Sequence, residues 1–313
     1  MNHRRNLLYT LATLFFLTLA PTALGAGDAI DLNQYGLAGS WYDPRTSGQG
    51  FMVEVFPDLS SPGTGLALVS WLTYDTVIGG AERQRWYTAQ GQVVTGQPNA
   101  ALTIYQNTGG NFNAPPVTMG QPVGTATLSF DTCSSGQLSY TFTDGTGRAG
   151  TIPLKRLTQN VTCSATTARP TNANFLLSGN WFEAATSGQG LTVEVNPISG
   201  VIFFAWMTYA PNGAGAGPAG QRWYTGQGTF SYMPVQLYSS VPVQLYETTG
   251  GLFDNAMASP TTVVVGSGTF YFENCSAHLD FNFTGGSSVG ASGQISLNRT
   301  SADLLYGAGC WDY

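Results

Sequence analysis

The sequence predicts an all-β protein made of two tandem antiparallel eight-stranded barrels. Three observations support this fold class: the chain carries one set of motifs twice, its segments are short and rich in β-branched and aromatic residues, and apolar side chains alternate with polar ones. Because eight sequential antiparallel strands lose their exposed edges when the sheet closes, a barrel is preferred. Two β-sandwiches are the alternative.

The duplication can be read directly from the 313 residues. The matched motifs are GSWY at 39–42 with GNWF at 179–182, TSGQG at 46–50 with TSGQG at 186–190, WLTY at 71–74 with WMTY at 206–209, QRWYT at 84–88 with QRWYT at 221–225, and TGGNF at 108–112 with TGGLF at 249–253. Each copy spans about 130 residues, which is a normal domain size and far longer than a solenoid repeat. We therefore predict domains at 36–165 and 175–313, joined by a polar linker at 166–174.

Each predicted strand is a short β-prone run bounded by Gly, Asn, Asp or Pro. In copy one the strands are predicted near Gly39–Tyr42, Gly50–Phe56, Leu66–Tyr74, Arg83–Ala89, Ala101–Gln106, Gly124–Asp131, Gln137–Phe142 and Gly150–Leu157. In copy two they are predicted near Gly179–Phe182, Gly190–Val195, Val201–Tyr209, Gln221–Gln227, Val241–Tyr246, Gly266–Glu273, His278–Phe283 and Gly293–Arg299. The pairs Gly109-Gly110 and Gly250-Gly251 are interpreted as hairpin turns.

The N-terminus predicts an exported protein. Residues 1–25 combine a short basic region, an apolar run from Leu7 to Ala20 and small residues before Ala26, which is the pattern of a signal peptide. The run is shorter than the ~20 residues of a membrane helix, so no transmembrane helix is expected after cleavage. We expect a secreted, periplasmic or cell-envelope protein.

The cysteine pattern agrees with an oxidising compartment, because each copy holds two of the four cysteines. The duplication then favours one bridge within each copy, Cys133–Cys163 and Cys275–Cys310.

Composition argues against several function classes. Charged residues make up 9% of the chain, the formal net charge is -6 and no basic cluster occurs, so nucleic acid is not an expected partner. The chain has two histidines, His3 in the predicted signal segment and His278 in copy two, and copy one has Gln137 where copy two has His278. A duplicated Ser-His-Asp site and histidine-based metal sites are therefore not expected, and we predict no metal and no cofactor.

Two resemblances add to this interpretation. Gly39-Ser40-Trp41 with Arg156, and Gly179-Asn180-Trp181 with Arg299, resemble the Gly-x-Trp and terminal Arg of calycin barrels such as lipocalins and avidins. That resemblance implies a structural role, in which Arg156 packs on Trp41 and Arg299 on Trp181 to seal one end of each barrel through a cation–π contact. The repeated Trp-Tyr and Ser-Gly-Gln-Gly motifs also resemble tandem repeats of secreted bacterial proteins of unknown function, which implies export and modularity.

The candidate ligand-binding residues are aromatic side chains and glutamines that both copies share. The aromatics are Trp71, Tyr74, Trp86 and Tyr87, with their counterparts Trp206, Tyr209, Trp223 and Tyr224. Such rings suit a sugar or an apolar ligand, and filling of the barrel core is the alternative. Gln49 and Gln189 lie in Gly-Gln-Gly turns that could address a ligand at a barrel mouth or be purely structural.

The repeated carboxylates suggest a stabilising role. Glu54 and Glu194 lie within Val-Glu-Val and are predicted to face solvent, where Arg85 and Arg222 could pair with them across strands.

Together these features predict an exported, non-enzymatic binding or adhesion protein. Its expected partner is a small molecule, a glycan or an envelope protein. The alternatives are a carbohydrate-binding or enzyme-accessory module, an outer-membrane barrel of about sixteen strands, and an acid hydrolase that uses Gln49 and Glu54.

Overall fold

Each half of the chain closes into its own eight-stranded barrel. The computed structural model describes residues 30–164, 175–215, 217–230, 239–273 and 276–300. Barrel one comprises β1 (Gly39–Tyr42), β2 (Gly50–Ser61), β3 (Thr64–Tyr74), β4 (Gln84–Val94), β5 (Asn99–Gln106), β6 (Gln121–Thr132), β7 (Ser135–Phe142) and β8 (Ala149–Arg156). Barrel two comprises β9 (Gly179–Phe182), β10 (Gly190–Asn196), β11 (Val201–Tyr209), β12 (Gln221–Thr229), β13 (Ser240–Thr249), β14 (Thr261–Glu273), β15 (Ser276–Phe283) and β16 (Ser292–Arg299).

The strand order is sequential in both barrels. Every strand pairs antiparallel with the next, β1 pairs with β8 through Trp41 and Arg156, and β9 pairs with β16 through Trp181 and Arg299. The predicted pair of barrels is confirmed. The sandwich alternative is wrong, and so is a single barrel of about sixteen strands, because each sheet closes after eight.

Short 3-10 helices connect the strands at several points. Within the described ranges they are Tyr35–Leu37, Ala81–Arg83, Phe175–Leu177, Ala184–Thr186, Pro211–Gly213, Gly217–Gly220 and Gly286–Ser288. None of the described helices is long and apolar enough to cross a membrane.

One end of each barrel is closed by a tryptophan and an arginine. The Trp41 indole Nε1 donates to the Leu37 carbonyl at 3.1 Å, and the Arg156 guanidinium carbon lies 4.4 Å from the Trp41 ring centroid. In barrel two, Arg299 lies 5.5 Å from the Trp181 ring in the same way. The expected cation–π contacts are therefore present.

The barrel interiors are filled by inward-facing rings. In barrel one, Trp71 packs against Tyr87, Tyr140 and Phe142 with ring centroids 5.2 to 6.0 Å apart. The equivalent core of barrel two groups Trp206 with Tyr224, Phe281 and Phe283. These rings occupy the interior of each barrel, because the alternation of the strands directs them inward.

Each barrel is plugged by a phenylalanine from the other barrel. Phe253, between β13 and β14, enters the core of barrel one and lies 5.3 Å from the Trp71 ring. Phe112, between β5 and β6, packs on the core of barrel two and lies 5.2 Å from the Trp206 ring. The two cores are thus completed reciprocally, and neither barrel closes its mouth with its own residues alone.

The plug loops explain the repeated Thr-Gly-Gly sequence. A Cβ on Gly110 would lie 2.1 Å from the ring of Tyr209, and one on Gly251 would lie 2.0 Å from the ring of Tyr74. These glycines do connect neighbouring antiparallel strands, as the hairpin prediction requires, but the connections are long loops and not tight turns. The connections run from 107 to 120 and from 250 to 260, and their glycines allow each loop to lie directly on a tyrosine of the other barrel.

The bridge between Cys133 and Cys163 is present and closes a sequence separation of 30 residues. Cys275 and Cys310 lie outside the described residues, as do the predicted signal segment and the linker at 166–174.

Candidate functional site

The outward faces of the repeated motifs meet in a seam between the barrels. The seam is an apolar cluster made of Met52, Leu72, Tyr74, Trp86, Ala205, Met207, Tyr209 and Trp223. Its two tryptophans donate hydrogen bonds across the seam, Trp86 Nε1 to the Thr208 carbonyl and Trp223 Nε1 to the Thr73 carbonyl, each at 3.0 Å. Each barrel therefore donates an equivalent indole hydrogen bond to a backbone carbonyl of the other barrel.

Two glutamines that were not among the predicted site residues reinforce the seam. Gln84 Nε2 donates to the Trp223 carbonyl at 3.0 Å, and Gln221 Nε2 donates to the Trp86 carbonyl at 2.8 Å. Both glutamines are fully buried. The identity of Gln-Arg-Trp-Tyr-Thr in the two copies was the signal that could have identified them.

The repeated glutamates are buried in the seam, and the prediction of solvent-facing carboxylates is wrong. Glu54 accepts from the Asn180 backbone at 2.7 Å and pairs with Arg299 at 2.8 Å, with both charged side chains 3% exposed. Glu194 accepts from the Ser40 backbone at 2.9 Å and from the hydroxyls of Ser40 and Thr158. Each carboxylate faces outward from its own barrel, as alternation requires, but the other barrel covers it.

The seam perturbs the charged groups that it buries. Burial raises the pKa of the Glu54 carboxyl, while Arg299 and the Asn180 amide groups oppose that shift. Burial also lowers the pKa of Arg156 to about 10, against the attraction of Glu194 from the other barrel. Each barrel therefore places a glutamate carboxylate near the arginine that closes one end of the other barrel.

The expected pairing of Arg85 and Arg222 with these glutamates is also wrong. Arg85 pairs with Asp75 at 2.6 Å, and Arg222 donates to the backbone carbonyls of Ala219 and Gln221. Each arginine holds the connection that precedes its own strand, because Asp75 lies between β3 and β4 and Ala219 lies between β11 and β12.

The eight predicted aromatic residues divide into two groups. Trp71, Tyr87, Trp206 and Tyr224 lie in the barrel cores, and Tyr74, Trp86, Tyr209 and Trp223 lie in the seam. Each is at most 2% exposed, so together they form no exposed platform. The adjacent pair in each Trp-Tyr motif sends one ring into the seam and the other into the core, as the strand alternation predicted.

The two predicted glutamines hold the plug loops. Gln49 Nε2 donates to the Leu252 carbonyl at 3.0 Å, and its Oε1 accepts from the Thr73 hydroxyl at 2.7 Å. Gln189 Nε2 donates to the Asn111 carbonyl at 2.9 Å, and its Oε1 accepts from the Thr208 hydroxyl at 2.7 Å. Each glutamine therefore fixes the residue that immediately precedes a plug phenylalanine, and that phenylalanine enters the barrel to which the glutamine belongs.

Two clefts open along the seam and are equivalent in the two copies. Cleft one has a volume of about 310 Å³ and is walled by Met52, Leu72, Phe203 and Trp223, with Gln49 at its margin. Cleft two has a volume of about 370 Å³ and is walled by Leu68, Trp86, Leu191 and Met207, with Gln189 at its margin. Four of the ten predicted ligand-binding residues, Gln49, Trp223, Gln189 and Trp86, thus line a cleft.

The two clefts have diverged chemically. Leu157 and Thr248 of cleft one are replaced in cleft two by Thr300 and Asn107, which stand at the equivalent positions. Leu157 is 52% exposed, so it extends the apolar wall of cleft one to solvent. Cleft one therefore suits an apolar ligand better than cleft two does.

No group of three or more His, Cys, Asp or Glu side chains that could hold a metal ion occurs within the described ranges. The chain matches no protein-family model, no curated protein and no solved structure.

Proposed function

We propose that this chain is an exported, non-catalytic binding protein that holds a small apolar ligand in cleft one. The observation that carries the proposal is the wall of Met52, Leu72, Phe203 and Trp223 at the seam. Ligand pockets are typically concave and apolar with a few polar groups, and the half-buried Thr225 places a hydroxyl beside this apolar wall.

The rigidity of the seam supports a binding role. Residues from both barrels form the wall of cleft one, and the indole of Trp223 is fixed by its hydrogen bond to Thr73. A site whose walls are already ordered loses little conformational entropy when it binds a ligand. A small molecule, a glycan or an envelope protein, the expected partners of this protein, could then bind without a large rearrangement of the two barrels.

Two features support export to the periplasm, the cell envelope or the medium. The N-terminal sequence has the pattern of a signal peptide. The Cys133–Cys163 bridge is typical of proteins that fold in an oxidising compartment.

The contacts of Gln49 and Glu54 favour binding over hydrolysis. Gln49 uses its amide on the Leu252 carbonyl and the Thr73 hydroxyl, and Glu54 is held by Arg299 and Asn180. A general acid or base must come within hydrogen-bond distance of the substrate, whereas the polar groups of these two side chains are already bonded to other residues of the protein.

The experiment is a fluorescence titration of the full chain with N-phenyl-1-naphthylamine, a neutral apolar probe. Thr225 and Thr88 are half-buried and line clefts one and two, respectively. We expect Thr225→Trp to fill cleft one and abolish the probe signal. The matched variant Thr88→Trp should leave it unchanged.

Thermal unfolding of both variants checks that they fold. A folded Thr225→Trp variant that binds the probe as the native chain does would overturn the assignment to cleft one. Probe binding that Thr88→Trp alone removes would place the apolar site in cleft two instead.

A further inference from the structure

A third concave surface lies on the outer wall of barrel two and shares no lining residue with either cleft. It is a groove of about 510 Å³ over β12, β13 and β14. The side chains that shape it are Gln227, Thr229, Pro242, Gln244, Tyr246 and Ser267. None of the described residues that line it is Asp, Glu, Lys, Arg or His, so this described lining carries no charge.

The strand register places the polar groups of this groove in one row. Gln227 lies opposite Gln244, Gln244 opposite Ser267, and Ser267 opposite Asn282 on the next strand. All four residues are exposed. Neighbouring strands lie ~4.8 Å apart, so the wall presents amides and hydroxyls at a regular spacing across four strands.

Tyr246 adds an aromatic surface beside this row. It is half-buried, lies opposite Thr225 on the neighbouring strand, and its hydroxyl donates to Gln244 Oε1 at 2.8 Å. That bond orients the Gln244 amide, whose Nε2 remains a donor. A ring with an apolar face and a fixed polar edge suits ligands that are apolar on one side and hydroxylated on the other.

We propose that this groove is a binding site for a neutral glycan. Sugar hydroxyls both donate and accept hydrogen bonds, as the amides and hydroxyls of the row do, and the C–H face of a sugar ring can pack on Tyr246. The uncharged lining offers no partner for phosphate, sulfate or carboxylate groups. The row across four strands fits a chain of sugars better than a single one.

The two copies differ at this wall. In copy one the equivalent row contains Gln90, Thr103 and Thr125, so a threonine stands where copy two has Gln244. Tyr105 is the counterpart of Tyr246, but the residue two positions before it is Thr103, so the tyrosine–glutamine hydrogen bond of copy two has no equivalent at this position. Copy one therefore supplies matched control positions on the same protein.

The test is electrophoresis of the full chain through native gels that contain a soluble polysaccharide. The neutral polymers are laminarin and dextran, and polygalacturonate is the anionic comparison. We expect at least one neutral polymer to retard the protein, and Gln244→Ala or Tyr246→Ala to weaken that binding about tenfold. Thr103→Ala and Tyr105→Ala should leave the binding unchanged.

Three results would overturn the glycan site: no retardation by either neutral polymer, retardation by polygalacturonate alone, or equal losses in the variants of copy one. Circular dichroism establishes that each variant folds. This site is independent of cleft one, so N-phenyl-1-naphthylamine should bind the Gln244→Ala variant as it binds the native chain. The two proposals therefore fail separately.

Discussion

Replacing the plug Phe253 with alanine should destabilise the barrel that it enters, which is not the barrel that it belongs to. The ring is 8% exposed and contacts the rings of Trp71, Tyr140 and Phe142 in barrel one at centroid distances of 5.3, 5.6 and 5.7 Å. The Arg148 guanidinium carbon lies 4.6 Å from the same ring. Removing the ring leaves a cavity among these side chains.

The expected loss follows from the burial of the ring. Phe→Ala substitutions in cores cost about 3–5 kcal/mol of unfolding free energy, and the three ring contacts favour the upper part of that range. At about 2–4 °C per kcal/mol for domains of this size, the midpoint of thermal unfolding should fall by about 6–20 °C.

Hydrogen exchange read by mass spectrometry locates the loss. In Phe253→Ala, peptides from β7 of barrel one should lose protection, because β7 carries Tyr140 and Phe142. In the reciprocal Phe112→Ala variant the loss should appear in β15 of barrel two, which carries Phe281 and Phe283.

A surface substitution provides the control for this crossed pattern. Val263→Ala changes a side chain that is 48% exposed and should shift stability by at most about 0.5 kcal/mol. The crossed arrangement is refuted if Phe253→Ala loosens β15 more than β7, or if it costs less than about 1 kcal/mol.

Two further predictions concern charged groups at the seam and the plug. Glu54→Ala leaves Arg299 buried without its carboxylate and should cost about 3–5 kcal/mol in urea unfolding. Glu194→Ala leaves the Ser40 backbone N–H and the hydroxyls of Ser40 and Thr158 without their acceptor and should cost about 1–3 kcal/mol, and equal losses would contradict the asymmetry of the two sites. Burial raises the pKa of Asp254 in the plug loop, so the native state favours the protonated form, and the stability this adds is lost as pH rises through the folded pKa. The stability of Asp254→Asn relative to the native chain should therefore increase above about pH 3.9, and a constant difference between pH 4 and 7 would argue against it.

Local pattern was sufficient to predict the strands. Phe51, Val53 and Val55 alternate with Met52 and Glu54, and all of them lie on β2 with the first three in the barrel core. Alternation is reliable here because successive side chains of a strand point to opposite faces, whatever lies beyond them. The same rule assigned Glu54 to the outer face correctly.

The error at Glu54 came from what the outer face meets. Alternation assigns a side chain to one face of the sheet, but it carries no information about whether another surface covers that face. Gly110 and Gly251 show the same limit, because their requirement for glycine arises from a tyrosine ring in the other barrel. Gln84 and Gln221 escaped prediction for this reason, since their partners are carbonyls at separations of 139 and 135 residues.

The sequence by itself determined two barrels, their strand order and the Cys133–Cys163 pairing, because duplication, period-two alternation and cysteine placement are properties of short or repeated segments. Only the tertiary structure decided that the barrels complete each other through exchanged phenylalanines and a covered seam. That arrangement depends on how the surfaces of two folded barrels dock. The free energy of docking comes from contacts between residues that lie far apart in the sequence, and no local pattern relates those residues.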